Sequence, residues 1–406
     1  MSGFFSSRWV EAPAHAAEAG PTALPAGFRA AGVASGIKPD GLDVGVLVSD
    51  AADTVSAARF TTNARVGAPV IVSRRADLGG LRAVVANSGC SNVGDGQRGL
   101  DTAEAMQAAA AERLGLEPAQ VGVASTGVIG EELPREPVLG GVRAALDALE
   151  ADAATFSEAI LTSDSGPKRA CLELELSGGP VRLAGQAKGA GMISPRYATM
   201  FCFVQTDAAL AADTLDLLTG VCVKRSFDRI SVDGQLSTSD TVFALASGAS
   251  GVRVEPETQD ELLLGEALDA LMRQLGMLIL ADGEGARRVG RIVVRGRPDT
   301  VEPVARSIAN SPLVKAALHG GDPNFGRLLQ AAGQAWPAGE PFVADLEIEG
   351  RLVVSAGDVV EQAPAELVSG AEVEYALTMP GEGGETEVFF SDLSPDYATF
   401  NSSYTS

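Results

Sequence analysis

The sequence predicts a mixed α/β protein, an α+β sandwich, and three observations lead there. Short apolar, β-branched runs recur along the chain: VGVLV at 44–48, PVIVS at 69–73, RAVVA at 82–86 and VGVAS at 121–125. Ala- and Leu-rich helical patterns lie between and after them, the clearest at 100–115 and from Asp260 to Asp282. No segment recurs at a fixed period, which excludes a repeat architecture.

The elements follow in chain order. Residues 1–22 lack a basic start followed by a long apolar stretch, so they read as a flexible leader rather than a signal sequence. The 44–48, 69–73 and 82–86 runs read as strands. The 100–115 helix has Asp101 near its start and Gly115 near its end. VGVAS reads as a strand that ends in a Gly-rich turn. CLELELS at 171–177 alternates polar and apolar residues, and VRLAGQA at 181–187 is placed to pair with it across SGGP. TMFCFVQT, from Thr199, is a continuous apolar strand. Later strands are expected at 290–296, 341–348, 351–355, 373–379 and 386–391. The Pro- and Gly-containing stretches at 318–326 and 380–384 are too short to link free domains.

Composition narrows the function. The 406 residues are 46% hydrophobic and 21% charged, as in a globular protein. A formal charge of -22 with no basic stripe repels phosphate backbones and excludes nucleic acid as a partner. No run of about 18 apolar residues is present, so no membrane span is expected. The four cysteines form no CxxC pair, which fits a reduced, cytoplasmic protein, and Cys202 reads as a small core hydrophobe. The two histidines, His15 and His319, exclude a zinc site built from several histidines, and a Ser-His-Asp triad would have to rest on His319.

The chemistry centres on KGAGMISPRYATMFCFVQTDA, from Lys188 to Ala208. A Gly-rich loop with one lysine leads into Ala198-Thr199, and an apolar strand follows. A threonine hydroxyl needs a base. No histidine is close in sequence, whereas a freed α-amino group, with a pKa of about 8, can take the proton itself. That requires the bond before Thr199 to be broken. The competing reading is a Gly-rich turn entering a buried strand. STGVIG at 125–130 is either an ordinary turn or a source of N–H groups for an oxyanion. In DGEGA at 282–286, Glu284 stands between glycines at a helix end, suited to an ammonium or simply to a polar cap. HGGDPNFGR at 319–327 lacks the GK[ST] of a phosphate loop, and a structural turn is an equal reading.

Taken in order, LPAGFRAAGVASGIK, FTTN, NSG, STGVIG, KGAGMI, ATM, SFDRISVDG, STSDT, DGEGA, SPLVKAALHGGDPNFGR and a final N-x-x-Y-T-S resemble the glutamate N-acetyltransferase (ornithine acetyltransferase) family of arginine biosynthesis. The likeness runs from about Ala23 to Ser406. It implies a fold related to the self-processing aminopeptidases. It also implies self-cleavage at Ala198-Thr199 into an α chain, 23–198, and a β chain, 199–406, intertwined in an α2β2 assembly. Thr199 would be the nucleophile, and Thr126 and Gly127 the oxyanion hole. Thr162, Lys188, Thr199, Glu284, Asn401 and Ser406 would line the substrate site. The implied reaction moves acetyl from N-acetylornithine to glutamate without metal or organic cofactor, acetyl-CoA being open as a second donor. The chain departs from the family's usual pattern in NSGCSNV at 87–93, in VDGQLSTSDT at 232–241, at Phe325 and at Ser406. Two alternatives stay open: an amidohydrolase or aminopeptidase with the same nucleophile, and an inactive amino-acid-binding paralogue.

Overall fold

Every second residue of the strand Phe201–Thr206 faces a different core, and this alternation organises the fold. Phe201 and Phe203 pack with Phe156, Phe243 and Leu47. Cys202 and Val204 pack on the opposite face with Leu215, Leu271 and Leu275. Both faces are covered, which is why the sequence is apolar without a break over 201–204. The computed structural model describes residues 3–194, 200–360 and 363–403.

The strand belongs to a six-stranded sheet ordered Ala16–Glu18, Lys168–Leu176, Gly179–Lys188, Phe201–Thr206, Thr241–Ala246, Val55–Phe60. A four-stranded sheet (Phe28–Val33, Val44–Ser49, Ala83–Asn87, Val121–Ser125) shares the phenylalanine-rich layer with it. Helices Gly96–Leu114 and Arg135–Asp147 cover the outer face of the four-stranded sheet. Helices Ala212–Arg225 and Gln259–Ala281 cover the outer face of the six-stranded one. The expected sandwich is thus helix, sheet, sheet, helix. A seven-stranded sheet with its own core holds most of the C-terminal strands, packed by Pro298–Ala309, Pro312–Gly320 and Phe325–Ala335. No helix among the described residues is long and apolar enough to cross a membrane.

The 171–177 and 181–187 hairpin forms as expected, and Gly115, at φ 66°, closes the helix before it. Three expectations change. Residues 69–73 are not a strand but part of the helix Ala68–Arg74. Pro69 suits the first helical turn, and burial of Val70 and Val72 outweighs their β preference. Ser73 on this helix both donates to Val123 O and accepts from Val123 N, each at 2.7 Å, satisfying an edge strand. The three helices between 298 and 335 were not among the expected elements. They are short, and two of them open on Pro298 and Pro312, at first-turn positions where proline costs no helical hydrogen bond.

The leader is also corrected. Residues 3–22 are a packed arm: Ala16–Glu18 pairs antiparallel with the strand Lys168–Leu176. Trp9 lies 5.5 Å from the Phe389 ring and donates to Glu374, and Arg8 pairs with Glu349 at 2.6 Å. Aromatic burial and an open sheet edge supply what a polar leader lacks. Strands on either side of the expected cut pair directly. Gly179–Lys188 pairs with Phe201–Thr206, with Lys188 opposite Phe201.

Phe203 is fully buried, edge-on to Phe156 and stacked on Phe243. Phe203→Ala is expected to lower unfolding stability by about 3–5 kcal/mol, read as a reduced urea midpoint at unchanged slope.

Candidate active site

Lys188 is the last residue of its strand, and the sheet carries its side chain into a site where it is only 2% exposed. Its Nζ donates to Thr162 Oγ1 at 2.7 Å and to Thr126 Oγ1 at 3.1 Å. Burial pushes the Lys188 ammonium below its ordinary pKa, against the opposing charge of Asp164. Asp164 accepts from Gly189 N at 2.6 Å and from Lys168 Nζ at 2.7 Å. Burial alone would raise this carboxyl, but Lys188, Lys168 and its hydrogen bonds outweigh it and hold it down to about 2. Lys168 also reaches Asp282 at 2.6 Å, at the end of the long helix.

Two residues beyond that helix end stands Glu284. Its carboxylate accepts from Ser163 Oγ and from Asn401 Nδ2, each at 2.7 Å, and its N–H donates to Ala190 O. A Cβ on Gly191 would lie 2.5 Å from Glu284 Oε1, so a side chain there would push the Glu284 carboxylate from this position. Asn401 rides on the helix Pro395–Ser403.

The Thr126-Gly127 turn is set by its neighbours. Asn87 O accepts the Thr126 N–H at 3.0 Å, and the Ser125 hydroxyl donates to Asn87 Oδ1 at 2.6 Å. Gly127 has φ 125°, and a Cβ there would meet Gly89 C at 2.4 Å. The expected set of exposed amides therefore divides. The Thr126 N–H is already used, while the Gly127 N–H has no partner among the described residues. Lys188 Nζ is only a donor, so Thr126 Oγ1 accepts from it, and its own proton is left to point elsewhere.

Thr126, Gly127, Thr162, Lys188, Glu284 and Asn401 all line one cavity of about 210 Å3. That is below the roughly 300–1,000 Å3 of sites for drug-sized ligands, and it suits a small substrate. Ala198, Thr199 and Ser406 lie outside the described residues. The Asp322, Asn324 and Arg327 motif does not join the cavity. Asn324 caps a helix through Arg327 N, and Arg327 donates to Leu313 O, so this is the structural turn. His319 pairs with Asp392 at 2.8 Å, but no hydroxyl bonds to its other ring nitrogen among the described residues, so no triad forms there. Cys202 is fully buried, as expected of a core thiol. Sequence reading missed Asp164, Ser163, Asn87, Asp233 and Tyr397. Asn87 and Asp233 lie inside quoted motifs, but only the fold gives them partners.

The ArgJ family model matches residues 29–406. The chain is 40% identical over 397 residues to the arginine biosynthesis bifunctional protein ArgJ of Symbiobacterium thermophilum, covering 95% of this chain and 98% of that protein. It is 39% identical to the protein of the same name from Chlorobium chlorochromatii, covering 94% and 91%. Among solved structures, the Mycobacterium tuberculosis ornithine acetyltransferase complexed with ornithine is 32% identical, with a TM-score of 0.42, over 46% of this chain and 99% of that one.

Replacing Asp164 by Asn leaves the buried Lys168 and Lys188 short of a negative partner. The Asp164 carboxyl sits below its ordinary 3.8, so its stabilisation is present above that pH and is lost as pH falls towards about 2. The unsubstituted protein should lose about 2 kcal/mol through this window from this group. Asp164→Asn should begin less stable at pH 7 and lack this part of the acid loss, as measured by denaturant titrations from pH 7 to pH 2.

Proposed function

The chain belongs to the ArgJ family, and from that premise we infer that it is an acyltransferase moving acetyl from N-acetylornithine to glutamate in arginine biosynthesis. The observation that carries the reading to this site is the convergence of a buried cation, Lys188, and a carboxylate, Glu284, on the cavity that holds the Thr126-Gly127 turn. An amino acid offers the complement, one carboxylate and one ammonium.

Self-cleavage comes first. Thr199 Oγ attacks the Ala198 carbonyl carbon, the C–N bond breaks, and the hydroxyl proton passes to the departing amine. Water then hydrolyses the ester, leaving the Ala198 carboxylate and a free Thr199 α-amine. In transfer, that amine takes the proton of its own hydroxyl as Oγ attacks the acetyl carbonyl. The Thr126 hydroxyl and the Gly127 N–H donate to the oxyanion. The proton goes to the departing ornithine nitrogen, leaving an acetyl-threonine ester. The glutamate amine attacks that ester, passes its proton through the α-amine to Oγ, and leaves as N-acetylglutamate. Lys188 and Thr162 receive the substrate carboxylate, and Glu284, held by Asn401, receives the ammonium. Ser406 belongs to the same substrate-binding set by the family likeness. Acetyl-CoA serves as a second donor, in keeping with the relatives' description as bifunctional. The two chains assemble as α2β2 in the cytoplasm.

Intact-mass measurement of the denatured protein should show fragments divided between Ala198 and Thr199, and Thr199→Ala should show one full-length chain. The cleaved protein should convert N-acetylornithine and glutamate to ornithine and N-acetylglutamate. Thr126→Ala should lower kcat about 100- to 1,000-fold. A full-length chain in both proteins would remove the amine base and overturn the mechanism. Acetate release without transfer to glutamate would make the enzyme an amidohydrolase.

A further inference from the structure

The connection from Val232 to Asp240 joins a strand of the seven-stranded sheet, Ile230–Ser231, to one of the six-stranded sheet, Thr241–Ala246. At its near end the Asp233 carboxylate accepts from two consecutive amides, Met192 N at 2.6 Å and Ile193 N at 2.9 Å. Three successive N–H groups, of Val232, Asp233 and Gly234, donate in return to Ile193 O, at 2.9, 3.2 and 3.1 Å. At the far end Asp240, 1% exposed, accepts the Met200 N–H at 2.9 Å, while Thr241 N donates to Met200 O at 3.2 Å.

The two carboxylates thus grip the chain on both sides of the bond expected to be cut. The buried Lys315 anchors the connection itself, donating to Val232 O at 2.8 Å and to Ser391 O at 2.5 Å. Tyr397 OH adds a 3.2 Å bond to Asp233 from the same helix that carries Asn401.

Burying carboxylates is costly, and burial raises both of these above the ordinary carboxylate range. Asp233 offsets that cost with donors that match its two oxygens. One oxygen of an amide side chain would become a donor and face an N–H. Asp240 is less demanding, since its bond to Met200 uses one oxygen, while the other makes no close hydrogen bond among the described residues and is only neighboured by Ser237 and Thr61.

We propose that Asp233 and Asp240 are positioning residues for self-cleavage, the two ends of a strap that fixes the chain before and after the scissile Ala198-Thr199 bond. Intramolecular attack on a peptide bond depends on orientation, and fixing both flanks reduces the conformations searched before attack. This rests on the self-cleavage reading above.

The test is cell-free translation of full-length chains followed by a timed chase, with the uncut fraction read by intact mass. Asp233→Asn and Asp240→Ala should each slow cleavage at least tenfold. Asp240→Asn, which keeps an acceptor for Met200 N–H, should cleave within about threefold of the unsubstituted rate. A role in bulk stability alone would instead make cleavage follow the melting temperatures of the four proteins. Unsubstituted rates for Asp233→Asn and Asp240→Ala would overturn the strap, as would an Asp240→Asn chain as slow as Asp240→Ala. If the unsubstituted chain itself stays whole, the self-cleavage reading fails and the strap with it. Cleavage in that chain with no effect of the variants sinks the strap alone.

Discussion

A lysine ammonium buried at the end of the strand Gly179–Lys188 is the constraint on which the rest of the site depends. A charge removed from water must be matched nearby by opposite charge and hydrogen-bond acceptors. Here Thr162 and Asp164, from one loop, and Thr126, from the turn after Val121–Ser125, meet that demand. Asp164 in turn binds Lys168, and Lys168 binds Asp282. The chain of pairings runs from the six-stranded sheet to the end of the long helix, two residues short of Glu284. The same interaction that resolves a buried charge also brings the candidate anion and cation receptors into one cavity.

The paired sheets make that burial workable. Strands covered on both faces cannot slip by one residue without exchanging their two cores, so their ends are fixed. Lys188 lies opposite Phe201, and Met200 is tied to Asp240 and Thr241. The register that fills the phenylalanine layer also fixes the start of the strand that follows Thr199. Packing and chemistry therefore share one backbone.

Much of the fold was legible locally. The alternation in CLELELS, the turn after it and the unbroken apolar run at 201–204 each record the burial of their own strand. Legibility failed where distant packing decided. PVIVS has strand-like residues, but a proline in the first turn and burial of one face make it helical. The arm at 3–22 is polar and alanine-rich, and it is ordered only because a sheet edge and the Phe389 ring are available to it.

The sequence by itself determined the family, through many short motifs in one order, and the residue types able to bind an amino acid and transfer an acyl group. The motifs are local, and the roles come with the family that they resemble. Only the tertiary structure decided which of those residues meet. Glu284 and Asn401 stand 117 positions apart and Lys188 and Thr126 62 apart, yet each pair is within hydrogen-bonding distance. It also decided that the 319–327 motif is a helix junction, and that Asp164, Asp233 and Asp240 hold the frame. A buried carboxylate takes its role from donors that the fold brings to it, and no spacing along the chain encodes those.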